Sequence, residues 1–152
     1  MAAMLLLGNQ RPPGPDLSAS RVMTSEAILR DLPGGKALLS WFGCVPRFHD
    51  ANLLEINLLS DRPSLLRVHA WTMTDQTDAR GHFILDKHVI VTISPREVRQ
   101  ISLNGFDLPG IIGVMEITKI DDAYQVDWDA SYGVEGSIRA KQVSFDLIPG
   151  KP

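Results

Sequence analysis

Cysteine occurs once in these 152 residues, at Cys44. That excludes an intramolecular disulfide, and with it the cross-linked scaffold of many small secreted domains. Long apolar runs are lacking too, since no stretch approaches the roughly 20 residues that span a bilayer, and no membrane association is expected. Met1 to Leu7 has the apolar character of a signal core, yet no basic residue precedes it and glycine and proline soon follow. The expected location is therefore cytoplasmic. The sequence also has no Gly-x-Ser-x-Gly elbow, phosphate loop or dinucleotide fingerprint, so no cofactor is expected. Pro33-Gly34-Gly35-Lys36 carries phosphate-loop letters without the spacing or the preceding strand, and reads as a turn between helices.

Positive charge is scarce in the last third. Residues 1–103 hold 11 Lys+Arg against 10 Asp+Glu, whereas 104–152 hold 4 against 8. Asp107, Glu116, Asp121, Asp122, Asp127, Asp129 and Glu135 face a single base, Lys119, between positions 104 and 135. Nucleic acid is disfavoured by such a surface, because phosphates demand Lys and Arg; a basic partner protein or a cation would suit it. The candidate partner-binding set is Asp121, Asp122, Asp127, Asp129 and Glu135. The plainer alternative is a solvated face that keeps the chain soluble.

What is present is ordinary for a folded soluble chain: 44% hydrophobic and 22% charged residues. At this length a single domain buries roughly 70% of its unfolded surface, so neither metal nor disulfide is needed for stability. Residues 1–20, with three prolines and two glycines between Gly8 and Ser20, are expected to form a flexible arm, and 21–152 a single mainly β domain.

Thr24 or Ser25 is placed to cap a short helix that Pro33-Gly34-Gly35 ends, and Lys36 to Phe42 reads as a second helix closed by Gly43. Trp41 and Phe42 are its anchors onto a sheet. Beyond Asp50 the period changes to two. Leu54, Ile56 and Leu58 are expected on one face of a first strand, paired as a hairpin with a second over Ser64–Thr74. A third runs from Phe83 to Ile93 and should break at Ser94-Pro95, leaving Val98–Leu103 as a separate short strand. Ile111–Ile120 and the strand of Tyr124, Val126 and Trp128 follow. In the last strand, Val134–Ile148, the inward phase slips near Lys141-Gln142, which predicts a bulge or bend there. The fold class is thus α+β and mainly β: one antiparallel sheet or a sandwich of six to eight strands, with one or two short N-terminal helices packed on it.

Phe48-His49-Asp50-Ala51 sits where helix signals give way to strands. A carboxylate beside an imidazole can orient it for general base or ligand chemistry, provided both lie in a turn, and Pro46 makes a turn plausible. The alternative is structural, with Asp50 capping loop backbone and His49 locking the junction. His49, His69, His82 and His88 show no tight ligand spacing, so no metal site is assigned; one would need assembly across strands, where His69 and His88 could meet with Asp50 or Asp86 nearby. Cys44 follows the negative end of a helix, which disfavours a reactive thiolate.

Phe42-Gly43, Pro46 and Phe48-His49-Asp50-Ala51, followed by an alternating hydrophobic strand, resemble the opening motif of the immunity protein 50 family. The motif residues are thus Trp41, Phe42, Gly43, Pro46, Phe48, His49 and Asp50. The resemblance implies a small bacterial protein of mostly β fold that binds and neutralises a toxin encoded beside it, without enzymatic activity. It implies no particular binding residue. The alternative function is a small-molecule-binding or hydrolytic domain with a His49/Asp50 pocket. A homo-oligomer is a third, favoured by an exposed sheet edge or exposed Trp71 or Trp128.

Overall fold

A computed structural model describes residues 23–106 and 109–152. The arm expected over 1–20 lies outside the described residues, as does Asp107. Two short helices, α1 (Ser25–Asp31) and α2 (Gly35–Phe42), precede six strands: β1 (Asn52–Asn57), β2 (Leu65–Thr77), β3 (Phe83–Asn104), β4 (Gly110–Ile120), β5 (Ala123–Tyr132) and β6 (Glu135–Pro149). All pairings are antiparallel, and the order β1-β2-β3-β6-β5-β4 closes on itself as a barrel. The chain is mainly β, with strands in one sheet and two helices on it, as expected. Closure removes the long edges that an open six-stranded sheet would present.

The helices end as their residues dictate. Thr24 Oγ1 accepts the Ala27 N–H at the start of α1, and Gly43, at φ 70°, terminates α2 in the left-handed region. Between them Gly34 has φ 79°, and a Cβ there would run into the Phe145 carbonyl. The turn is held to the barrel by the Phe145 N–H, which donates to Pro33 O at 2.9 Å. Only glycine satisfies both demands at position 34. Ile28, Leu29, Leu32, Leu38 and Leu39 then join barrel residues such as Leu66, Val91, Ile93, Ile112, Val126 and Ile138 in one core.

Three sequence expectations are corrected in detail. In β1 the register shifts between Leu53 and Glu55, so Leu53 and Ile56 pack on the core while Leu54 and Leu58 are exposed. One extra residue reverses the side-chain phase. Second, Ser94-Pro95 does not break β3, which continues for 22 residues through a buried Pro95 paired with Val143. The Pro95 carbonyl accepts the Ser64 N–H at 3.0 Å, so its ring nitrogen also faces the β2 side. There the β2–β3 ladder has ended at Leu66–Ile93, and no ladder bond is lost.

Third, the phase slip in β6 is present: Ile138, Ala140 and Val143 are buried and Lys141 and Gln142 exposed. Its irregularity lies across the ladder, on β3. Glu97 has φ 51°, its carboxylate is 3.9 Å from Lys141 Nζ, and the register shifts between Val98 and Gln100. This bend lets so long a strand turn the barrel's corner.

Trp128 is buried, at 3% exposure, and donates through Nε1 to Val134 O at 3.0 Å. Gly136, its cross-strand partner, leaves room for the indole. Trp128 therefore offers no exposed face.

Candidate functional site

The acidic residues divide into two groups. Asp121 and Asp122 occupy the β4–β5 turn, about 17 Å along β5 from Asp127 at about 3.3 Å per residue. Asp122 is held there by a two-pronged ion pair with Arg99, at 2.7 and 3.0 Å, which fastens the turn to β3. The hydrogen bond and charge of Arg99 lower the Asp122 carboxyl below the usual carboxylate range, and Asp122 raises Arg99 in return.

The second group forms a face. Glu116 lies directly opposite Asp127, and Val114 opposite Asp129, on the outer side of β4 and β5. Asp127 is opposite Ser137 on β6, and Glu135 starts that strand one residue before the Trp128–Gly136 pair. Four carboxylates, Glu116, Asp127, Asp129 and Glu135, thus share an outer surface across three strands. Like charges directly opposite each other oppose sheet pairing. Arg47 reaches from the entry segment to Glu116 at 2.8 Å, and Arg139 is engaged by Gln125 Oε1 at 2.8 and 3.1 Å. Asp129 also braces a bulge by accepting the Val114 N–H at 2.6 Å, and Asp127 accepts from Gln125 Nε2. The sequence had placed all five acids in one patch; the fold brings Asp127, Asp129 and Glu135 together, adds Glu116, and sets Asp121 and Asp122 apart.

The motif segment has a different task. Asp50 N–H donates to Ile112 O, Ile112 N–H to Ala51 O, and Met115 N–H to Arg47 O, at 2.8 to 2.9 Å. These bonds extend the short β1–β4 ladder, Asn52–Ile111 and Leu53–Gly110, which closes the barrel. Phe48 and Asp50 both adopt positive φ, 56° and 63°, so the side chains of this turn splay apart. Phe48 goes inward against Phe42 in an edge-to-face contact at 5.8 Å. His49 and Asp50 go outward and meet each other, Nδ1 to Oδ2 3.1 Å, with 73% and 48% of their side-chain surfaces exposed. The pair exists, and neither residue lines the four best-formed cavities among the described residues. Trp41 packs partly against the core, and its Nε1 is buried without a partner among the described residues.

His69 and His88 do meet across β2 and β3, Nε2 to Nδ1 3.1 Å, with rings stacked at 5.2 Å and Trp71 against both. At 3.1 Å one ring donates and the other accepts. Burial first, then the neighbouring His88 and Lys151, lower the His69 pKa from its ordinary 6.5. Among the described residues, no group of three or more His, Cys, Asp or Glu side chains is placed to hold a metal.

Two further features carried no signal in the sequence. Beyond the barrel, β2 and β3 continue as a two-stranded ribbon, Thr72–Asp86 and Met73–Leu85, where neither β1 nor β6 pairs with them. Met73, Phe83, Ile84 and Leu85 are exposed on it. At the helix-covered mouth is a cavity of about 410 Å³ between α1, the entry segment and the barrel interior. Leu29, Leu38, Phe48, Ile117, Val126 and Phe145 wall it, and Glu26, Arg47 and Glu116 stand among its charged lining.

The fold and these surfaces define a helix-capped, six-stranded antiparallel barrel with one acidic outer face. Comparison with protein-family models, with curated proteins and with solved structures returns no match. No helix among the described residues is long and apolar enough to cross a membrane.

Proposed function

We propose that this chain is a non-enzymatic binding protein whose partner is a basic protein, met by the outer face of β4, β5 and the start of β6. The observation that carries this reading is the placement of Glu116 opposite Asp127, with Asp129 and Glu135 beside them. Arg47 already pairs with Glu116, but among the described residues Asp127, Asp129 and Glu135 have no ion-pair partner, and a partner rich in Lys and Arg would neutralise them and be steered towards them. The ribbon's exposed Met73, Phe83, Ile84 and Leu85 add apolar surface of the kind that marks protein contacts. The narrower reading, a cytoplasmic bacterial immunity protein that neutralises a cognate toxin, rests on the resemblance at Phe42 to Ile56 and agrees with a basic partner such as a nuclease.

The test is co-purification with the product of the neighbouring gene. A complex is expected that weakens as salt rises and is lost in the Asp127→Lys, Glu135→Lys double variant. Those positions are chosen because Asp129 also braces β4. Absence of a complex, or one indifferent to both substitutions, would overturn the proposal.

A further inference from the structure

We propose that the ribbon of β2 and β3 pairs with the same ribbon of a second copy of this chain, edge to edge along β3, to make a four-stranded antiparallel sheet. A two-stranded hairpin is marginally stable by itself, and three or more strands with a hydrophobic face are needed for independent stability. This ribbon stands beyond the barrel with only its own pairing. Among the described residues, β1 reaches no further than His69 on β2, and β6 with the residue after it no further than His88 on β3. Met73, Phe83, Ile84 and Leu85 are nevertheless exposed on it. The edge of β2 there reads Thr-Met-Thr-Asp-Gln-Thr over 72–77, whereas β3 offers the apolar run Phe83-Ile84-Leu85.

That edge is complementary to itself. The His82 carbonyl accepts the Asp78 N–H at 2.8 Å and the Ile84 carbonyl accepts the Thr74 hydroxyl at 2.7 Å, so both turn towards β2. Successive residues of a strand turn their N–H and C=O to alternate sides, and Phe83 and Leu85 therefore point theirs away from β2, where no strand pairs among the described residues. With a two-fold axis at Ile84, Phe83 of each copy lies opposite Leu85 of the other, and the two pairs exchange hydrogen bonds through all of these groups. Side chains select the same register. His82 comes opposite Asp86 of the second copy, a carboxylate with no ion-pair partner among the described residues, and Ile84 meets Ile84. Phe83, Leu85 and the Met73 opposite Leu85 on β2 join their counterparts on one face. An axis one residue away in either direction would set Leu85 against Gly81 of the turn, or Phe83 against Lys87. The ribbon strands lie across the closed barrel from β4 and β5, so a second copy leaves the acidic face uncovered, and the proposal does not rest on that reading.

The test is sedimentation equilibrium of the full chain alone, where a dimer is expected. Ile84→Lys sets like charges on the axis and should weaken dimerisation at least about tenfold, equivalent to about 1.4 kcal/mol, with an unchanged circular dichroism spectrum. Asp86→Lys should weaken it as well, and adding His82→Asp should restore it, because opposite charges then face each other again. In a Cys44→Ser chain, Ile84→Cys should oxidise to an intermolecular disulfide, since Cα atoms opposite each other in a non-hydrogen-bonded pair are about 4.5 Å apart, within disulfide reach. Thr77→Cys, on the β2 strand, should not. A monomeric unaltered chain would overturn the proposal and leave the edge to a foreign strand. So would a dimer indifferent to Ile84→Lys, charge reversal that does not restore pairing, or cross-linking through Thr77→Cys in place of Ile84→Cys. The measurement needs no other protein and leaves Asp127 and Glu135 untouched, so failure here and failure of the acidic-face reading are told apart.

Discussion

His69 on β2 and His88 on β3 share one hydrogen bond, Nε2 to Nδ1 3.1 Å, with their rings stacked beside Trp71. His69 is only 8% exposed, and its pKa lies below the ordinary 6.5 because burial, His88 and Lys151 all oppose its positive charge. Above pH 6.5 both the folded and the unfolded chain carry this imidazole neutral, and stability is undiminished. As the pH falls below 6.5 the unfolded chain takes up the proton first, and stability is lost progressively down through the lowered folded value. The thermal unfolding midpoint should therefore drop between pH 7.5 and 5. In His69→Gln, which keeps a hydrogen-bonding side chain but does not titrate, the drop should be smaller; an equal drop would show that other groups cause it.

Gly34 and Gly43 both have positive φ, 79° and 70°, yet their surroundings differ. A Cβ at Gly34 would collide with the Phe145 backbone, while at Gly43 it meets nothing within 4 Å. Gly43→Ala should cost only the left-handed conformation, about 1–2 kcal/mol. Gly34→Ala should cost more than about 2 kcal/mol, because the turn must also leave β6. Urea unfolding of both variants checks the order, and equal costs would contradict the close approach at Phe145.

Trp128 fills the barrel beside Gly136 and bonds the Val134 carbonyl. Trp128→Phe keeps an aromatic ring but leaves that buried carbonyl without its donor, at a cost of about 1–3 kcal/mol. The loss should appear as a lower denaturation midpoint with an unchanged slope.

The His49–Asp50 pair is exposed, so His49→Ala should change stability by no more than about 0.5 kcal/mol. Asp50 carries a φ of 63°, which Asp tolerates better than Ala and Gly better than either. Asp50→Ala should thus cost about 1 kcal/mol and Asp50→Gly much less. Denaturant titration measures all three. If the folded His49→Ala chain fails to bind a partner that the unaltered chain binds, the motif acts in recognition as well as in closing the barrel.

Local chemistry in the sequence was enough to place the helices and most of the strands. Thr24, Pro33-Gly34-Gly35 and Gly43 punctuate the helices because capping and positive φ depend on neighbouring residues alone. Leu66, Val68 and Ala70, or Tyr124, Val126 and Trp128, reveal strands because alternation follows from the pleat. Pro95 misled because its effect depends on where β2 ends, and Leu54 because a bulge shows only against its partner strand. Charge was legible as a count but not as a surface: Asp121 and Asp122 are near Asp127 in sequence and far from it along the strand, while Glu116 becomes its neighbour only through the β4–β5 register.

By itself, then, the sequence determined a mainly antiparallel β chain with two leading helices and an acidic last third, since each rests on short-range periodicity, capping or composition. Tertiary structure alone decided that the sheet closes, that Arg47 to Ala51 is its seam, that His69 meets His88, and that a cavity remains at the mouth. Those outcomes depend on register between residues distant in the chain, where a shift of one position sends every side chain to the opposite face.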